Sequence, residues 1–328
     1  MAGVSGEGET KTLPGFRVGH ASDFRGATGC TVVLCERGAV CGVSLRGSAA
    51  GTRELATCLP GHLVERVHAV FLAGGSAFGL DAAAGVMQYL ESKNVGFDAG
   101  RVRVPIVPAA VLFDLSLGST KARPDAGMAK WACRTASAKV VEGSIGAGTG
   151  ATLGKLMGIS QATKGGVGFS SLALPGEASV QALAVVNAFG DVINPRTGEV
   201  IAGTRAAPDS PEFARTAESM FQGRRRKGFG ATNTTLAVVM TDAALTKLQA
   251  TKVAEMAQDG LARAINPVHT QFDGDLVFAL SLGKRKGDLN MLGTAAAEVT
   301  ARAIVHAVER ARGLAGVPAL KELVGRNQ

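Results

Sequence analysis

Residues 230–240 read Gly230-Ala231-Thr232-Asn233-Thr234-Thr235-Leu236-Ala237-Val238-Val239-Met240. From Thr234 onward the β-branched and aliphatic residues fit a buried strand. Before it, residues 190–232 form a connector rich in Pro, Gly and charge, long enough to suggest a functional or disordered segment. One reading of the junction is a loop entering a strand. The other is self-cleavage between Asn233 and Thr234. A threonine hydroxyl is a weak nucleophile at neutral pH and needs a base. A free α-amine, with a pKa of about 7.7–8.0, suits that task and would sit beside the hydroxyl once the preceding peptide bond is broken. In the uncleaved chain Thr234 Oγ would attack the Asn233 carbonyl, and the ester formed would hydrolyse. Asn233-Thr234-Thr235 is also formally a glycosylation sequon, which would require secretion.

Working outward, residues 234–240 are expected as a strand, 241–265 as a helix, 276–282 as a strand and 292–311 as an Ala-rich helix. Earlier in the chain, 29–34 and 67–72 read as strands, 81–91 as a helix after the Ala73-Gly74-Gly75 turn, and 183–189 as a buried strand carrying Asn187. Residues 142–155 hold the densest glycine stretch, ending at Lys155, and 1–12 read as a loose tail. Strands alternating with helices imply sheets covered by helices. No repeat of solenoid period is present, and the chain is expected to be a single domain over 1–328.

Of 328 residues, 46 % are hydrophobic and 19 % charged, which excludes a disordered chain. Glycine is abundant, with 44 residues, so tight turns and close backbone contacts are expected. One Trp and one Tyr argue against an aromatic platform for nucleic acid. Half of the net charge of +8 sits in Arg224-Arg225-Arg226-Lys227, read as a solvated loop rather than a nucleic-acid patch. Five cysteines, none in a C-x-x-C pair, and no basic-then-apolar leader point to free thiols in the cytoplasm. No apolar run is long enough to suggest a membrane partner.

Several motifs fail on inspection. A Walker A loop would need Ser or Thr where Leu156 stands, the glycines at 146–150 have the wrong spacing for a dinucleotide loop, and Gly74-Gly75-Ser76-Ala77-Phe78 is not a nucleophile elbow. The five histidines show no metal spacing and are read as structural. No cofactor or metal is implied.

Six stretches carry a resemblance. They are Val18-Gly19-His20 with Thr28-Gly29-Cys30-Thr31-Val32; Arg46-Gly47 with Gly51-Thr52-Arg53-Glu54; Ala73-Gly74-Gly75-Ser76-Ala77-Phe78-Gly79-Leu80-Asp81; Gly148-Thr149-Gly150-Ala151-Thr152; Asn233-Thr234-Thr235; and Phe272-Asp273-Gly274-Asp275. In this order, over about residues 13–312, they resemble the L-aminopeptidase/D-esterase family, which includes β-peptidyl aminopeptidases and a nylon-oligomer hydrolase. The resemblance implies an α+β fold of the four-layer αββα, N-terminal-nucleophile type. It also implies self-cleavage into an α-chain of 1–233 and a β-chain of 234–328, and homo-oligomers of cleaved αβ units.

Carried over residue by residue, Thr234 is the nucleophile and its α-amine the base. Asn187 donates to the oxyanion. Lys155 lowers the pKa of the Thr234 hydroxyl or amine, and Asp273 and Asp275 hold the α-ammonium and Lys155. Phe113 stands where the nylon-hydrolase branch has a tyrosine, so a hydroxyl donor is missing there. The expected reaction is hydrolysis of a short peptide or small linear amide with a free amino end, through an acyl-Thr234 ester. An acyltransferase of the ornithine-acetyltransferase type, or a binding module that never cleaves, stays open as an alternative.

Overall fold

Period-two patterning in the central strands sends alternate side chains into two different apolar cores, and this sets the architecture. The computed structural model describes residues 10–176, 178–226 and 233–325. Nine strands form one hydrogen-bonded network: β1 (Arg17–Asp23), β2 (Thr28–Leu45), β3 (Gly51–Arg53), β4 (Val67–Ala73), β5 (Ala109–Val111), β6 (Val167–Ala173), β7 (Ser179–Asn187), β8 (Thr234–Ala243) and β9 (Leu276–Arg285). Their order is β6-β7-β8-β9-β2-β4-β5-β3, with β1 paired to β2. β8 and β9 run parallel, as do β4 and β5; the other pairs are antiparallel.

The 18-residue β2 belongs to both halves of the network. Its first part pairs with β1 and β4, its last part with β9. The two halves face each other across a core containing Val33, Val70, Leu72, Leu183, Val185, Leu236, Val238 and Phe278. The intervening residues of the same strands point the other way. Val186, Ala237, Val239, Val277 and Ala279 meet α3 (Lys247–Ala264) and α4 (Leu289–Glu309). Val32, Leu34, Ala69 and Phe71 meet α1 (Ala83–Ser92) and α2 (Ala126–Thr135). Three cores between four layers make the αββα sandwich.

Local signals set the element ends. β8 runs through Ala243, so the helix expected from residue 241 starts later. Thr246 caps it, with Gln249 completing a reciprocal capping box, an arrangement stabilising by about 1 kcal/mol. Asp288 caps α4 by accepting from the Met291 amide at 2.9 Å.

The described part of the connector, residues 190–226, is more ordered than its composition suggests. It carries short strands at Asp191–Ile193 and Val200–Ala202 and a helix at Thr216–Phe221. The buried Asp191 carboxylate ties them together, accepting from the amides of Thr204 and Thr216 and from the Thr216 hydroxyl. Residues 10–12 are docked rather than loose: Thr12 N donates to Ala138 O, and Val140 N to Thr10 O. Residues 1–9 of the expected tail, and Gly230, Ala231 and Thr232 of the junction, lie outside the described residues. All five cysteines are buried and free. Among the described residues no helix is long and apolar enough to cross a membrane.

Candidate active site

β7 and β8 are antiparallel, so the C-terminal end of one meets the start of the other. Their register pairs Asn187 with Thr234. On the other side of β8, the chain entering β9 carries Asp273-Gly274-Asp275, and Asn233 forms a parallel bridge with Asp273. The topology thus gathers Asn187, Asn233, Thr234, Asp273 and Asp275 at one sheet end. Lys155 joins them from the glycine-rich loop. All six side chains are buried.

The Asn233–Thr234 peptide is held on both sides. Asn233 N donates to Phe272 O at 2.8 Å, and Gly274 N donates to Asn233 O at 2.8 Å. The Thr234 hydroxyl also donates to Asn233 O, at 2.5 Å. The carbonyl that self-cleavage would attack therefore already accepts a backbone N–H, the type of donor that stabilises a developing oxyanion. Sequence reasoning singled out Asp273 and Asp275 and passed over the amide between them.

A backing strap explains another matched stretch. Arg46 N donates to Asp275 O at 2.7 Å, and Ser48 N and Ala49 N donate to Asp273 O. This requires the strap's backbone to touch the turn. Gly47 sits at φ +75°, and a Cβ there would lie 2.2 Å from Asp273 O. At Gly274 a Cβ would lie 2.7 Å from the Ala50 backbone. Only glycine fits both positions.

The two carboxylates have separate partners. Asp273 accepts from the Phe189 amide and from the Thr270 amide and hydroxyl. Asp275 accepts from the Thr235 amide at 2.7 Å and faces His269, whose Nδ1 is 2.8 Å away and whose amide also donates to it. In this uncleaved chain they fix the turn and the start of β8. Burial, and next the charge of Asp275, push the Asp273 carboxyl up to about 6. His269 was read as structural; its position four residues before Asp273 was the available sequence signal.

Lys155 is buried, unlike the surface glycine-loop lysine its surroundings suggest. Its Nζ donates to Asn187 Oδ1 at 2.8 Å and to Asn187 O at 3.2 Å. Burial lowers its pKa to about 7, opposed mainly by the charge of Asp273. The Asn187 amide is wired on both faces. Oδ1 also accepts from Thr152 N at 3.0 Å, and Nδ2 donates to Phe113 O at 3.2 Å. That uses one of the two Nδ2 hydrogens and leaves the other for an incoming group. Phe113 contributes its backbone carbonyl to the site, and its ring has no hydroxyl.

Arg226 departs from the solvated-loop reading. Arg224 and Arg225 are exposed and Lys227 lies outside the described residues, but Arg226 is half-buried. Its guanidinium stands 5.3 Å from the Phe272 ring and 6.0 Å from that of Phe189, a cation–π arrangement.

Among the described residues no group of three His, Cys, Asp or Glu is placed to hold a metal ion. What the arrangement offers is a buried hydroxyl against a peptide carbonyl, a backbone amide donating to that carbonyl, and nearby an amine able to exchange a proton near neutral pH.

The four layers are those of the Ntn-hydrolase fold. The solved structure of the L-aminopeptidase D-Ala-esterase/amidase from Ochrobactrum anthropi, described as a variant of that fold, superimposes with a TM-score of 0.72 at 16 % identity, covering 100 % of this chain and 96 % of that one. A β-aminopeptidase from Burkholderia sp. gives a TM-score of 0.67 at 20 % identity, covering 95 % and 91 %. At sequence level the chain belongs to peptidase family S58, whose description matches residues 12–321. An uncharacterized aminopeptidase of Mycobacterium leprae is 40 % identical, over 93 % of this chain and 91 % of its own. A 6-aminohexanoate-oligomer endohydrolase of Kocuria sp. is 30 % identical, over 90 % and 85 %. The protein is a hydrolase of this peptidase family.

Proposed function

We propose that the protein is a self-cleaving hydrolase with Thr234 as its nucleophile, acting on short peptides or small linear amides. The observation that carries this reading is the Thr234 hydroxyl lying against the carbonyl oxygen of Asn233 while Gly274 N donates to that same oxygen.

In maturation, Thr234 Oγ attacks the Asn233 carbonyl carbon and its proton passes to the neutral amine of Lys155, whose pKa of about 7 makes that form available at neutral pH. The C–N bond breaks, the departing nitrogen takes a proton, and an ester joins Asn233 to Thr234 Oγ. Water hydrolyses the ester, leaving a carboxylate on Asn233 and a free amine and hydroxyl on Thr234. That amine is the base for turnover. The hydroxyl attacks the substrate carbonyl, the second Nδ2 hydrogen of Asn187 supports the oxyanion, the amine product leaves, and water releases the acyl group.

Names among the relatives support a peptide or amide as substrate, including aminopeptidase and oligomer endohydrolase. We assign the active form as a homo-oligomer of cleaved αβ units. The experiment is to follow purified protein on denaturing gels while assaying hydrolysis of short peptide anilides. Fragments of 1–233 and 234–328 should appear as activity appears. Full activity in an unbroken chain would refute the proposal.

A further inference from the structure

A cavity of about 510 Å³ opens from Lys155. Leu115, Leu156, Met157 and Ile159 supply apolar wall, with Phe113 at the side nearest Asn187. Among the described residues three charged side chains line it, Lys155, Arg225 and Arg226, and all are cations. Burial grades along it, from Lys155 at 3 % exposed, through half-buried Arg226, to exposed Arg225.

A pocket built to hold a substrate's ammonium group needs an anion facing it. Among the described residues no carboxylate lines this cavity. The acidic groups near the site are occupied: Asp273 and Asp275 by the donors given above, and Asp114 by Thr28 Oγ1 and Gly75 N, each at 2.7 Å. Arg226 has the opposite need. Its Nη1 is buried and has no hydrogen-bond partner among the described residues. Burial disfavours its charge, the Asp273 carboxylate offsets part of that from a distance without a hydrogen bond to Nη1, and two aromatic rings flank the guanidinium. A buried guanidinium N–H without an acceptor is costly, and a carboxylate supplies two acceptors in matching geometry.

We propose that this cavity binds an apolar chain ending in a carboxylate, with the chain's amide carbonyl at the Lys155–Asn187 end and its carboxylate on Arg226, flanked by Arg225. The inference deepens the hydrolase reading by specifying the substrate class: acid-ended rather than amine-ended amides. It separates this chain from relatives named for aminopeptidase activity, because apolar surface gives the affinity and the sign of the terminal charge gives the discrimination.

The test uses three matched primary amides: octanamide, 8-aminooctanamide and the monoamide of octanedioic acid. Binding is measured by calorimetry on Thr234→Ala, which stays intact, and on wild-type protein. Hydrolysis of the corresponding p-nitroanilides is measured in parallel on wild type. The expected order is acid-ended tightest, by about tenfold over the methyl-ended amide, with the ammonium-ended amide weakest. The acid-to-methyl ratio falls toward one in Arg226→Gln and declines as salt is raised. Equal binding of acid-ended and methyl-ended amides, a preference for the ammonium, or no binding at millimolar concentration overturns the proposal.

The wild-type order decides the matter even if Arg226→Gln does not fold. If the order holds in Thr234→Ala while wild type neither cleaves itself nor hydrolyses any anilide, the cavity assignment stands and the nucleophile fails. Hydrolysis that favours the ammonium-ended anilide sinks the cavity assignment and leaves the nucleophile.

Discussion

Lys155 and Lys164 lie nine residues apart in one glycine-rich region, both are buried, and burial lowers both to a pKa of about 7. Their wiring differs. Lys164 places its three donors on three backbone carbonyls, Gly148 O at 2.9 Å, Ala151 O at 2.7 Å and Gly165 O at 2.8 Å. It acts as a cationic clasp for the loop and has no donor left. Among the described residues the Lys155 ammonium bonds to Asn187, the residue registered with Thr234, and it borders a cavity. A perturbed pKa therefore does not mark a functional lysine by itself. What sets Lys155 apart is its tie to the residue paired with Thr234 and to open space.

The largest effect that would sharpen this contrast lies at the Thr234 hydroxyl, whose residue is paired in register with the Asn187 that Lys155 holds. Thr234→Ala should abolish self-cleavage and hydrolysis together, a loss of about 1000-fold or more, while Thr234→Ser keeps both. Gels and anilide assays on the purified variants check it.

Lys155→Met comes next. Self-cleavage should slow by about 100-fold or more, because the uncleaved chain has no α-amine and loses its base. Lys164→Met should change the cleavage rate by less than about threefold and lower stability by about 2 kcal/mol, since three buried carbonyls lose their donor. Equal loss of cleavage in both variants would erase the distinction.

Asp275→Asn should slow cleavage by about tenfold. The new side chain still accepts from the Thr235 amide but no longer offers a charge to His269. A time course on freshly refolded protein measures this directly.

pH gives the smallest effects. With Lys155 as base, the cleavage rate should rise through about pH 7 and then level off, and Lys155→Met should remove that inflection. Stability has a related signature. Each lysine titrates near 7 when folded and near 10.5 when unfolded, so between those values the unfolded chain binds more protons and stability rises with pH. Asp273 works in the acid range, because its raised pKa of about 6 imposes a cost above pH 6 that fades as pH falls toward 3.8. Denaturant melts of the Thr234→Ala protein should show a rise between pH 7 and 10 that shrinks when Lys164 is also replaced.

The strands bearing the site were legible because β-branched runs such as residues 234–240 leave little choice of element. The four-layer arrangement followed from the resemblance, and the alternation in β8 and β9 gives its physical reason. What escaped notice depended on partners far away in sequence. β2 reads as a short strand at 29–34 because Cys35-Glu36-Arg37-Gly38 interrupts the apolar pattern, yet pairing with β9 carries it to Leu45. The order within residues 190–226 rests on the single buried carboxylate of Asp191, which composition hides. At the site, Thr234, Asn187 and the Asp273-Gly274-Asp275 turn were recognisable as motifs. The Gly274 amide, the strap at Arg46-Gly47 and the burial of Lys155 and Arg226 arise only when separate loops meet.

The most direct measurement is the intact mass of the purified protein together with the N-terminal sequence of its smaller fragment. The account predicts two polypeptides in equal amounts, the smaller beginning Thr234-Thr235-Leu236, in every preparation that hydrolyses amides. An active preparation made only of unbroken chain, or a new terminus at any other residue, would contradict it.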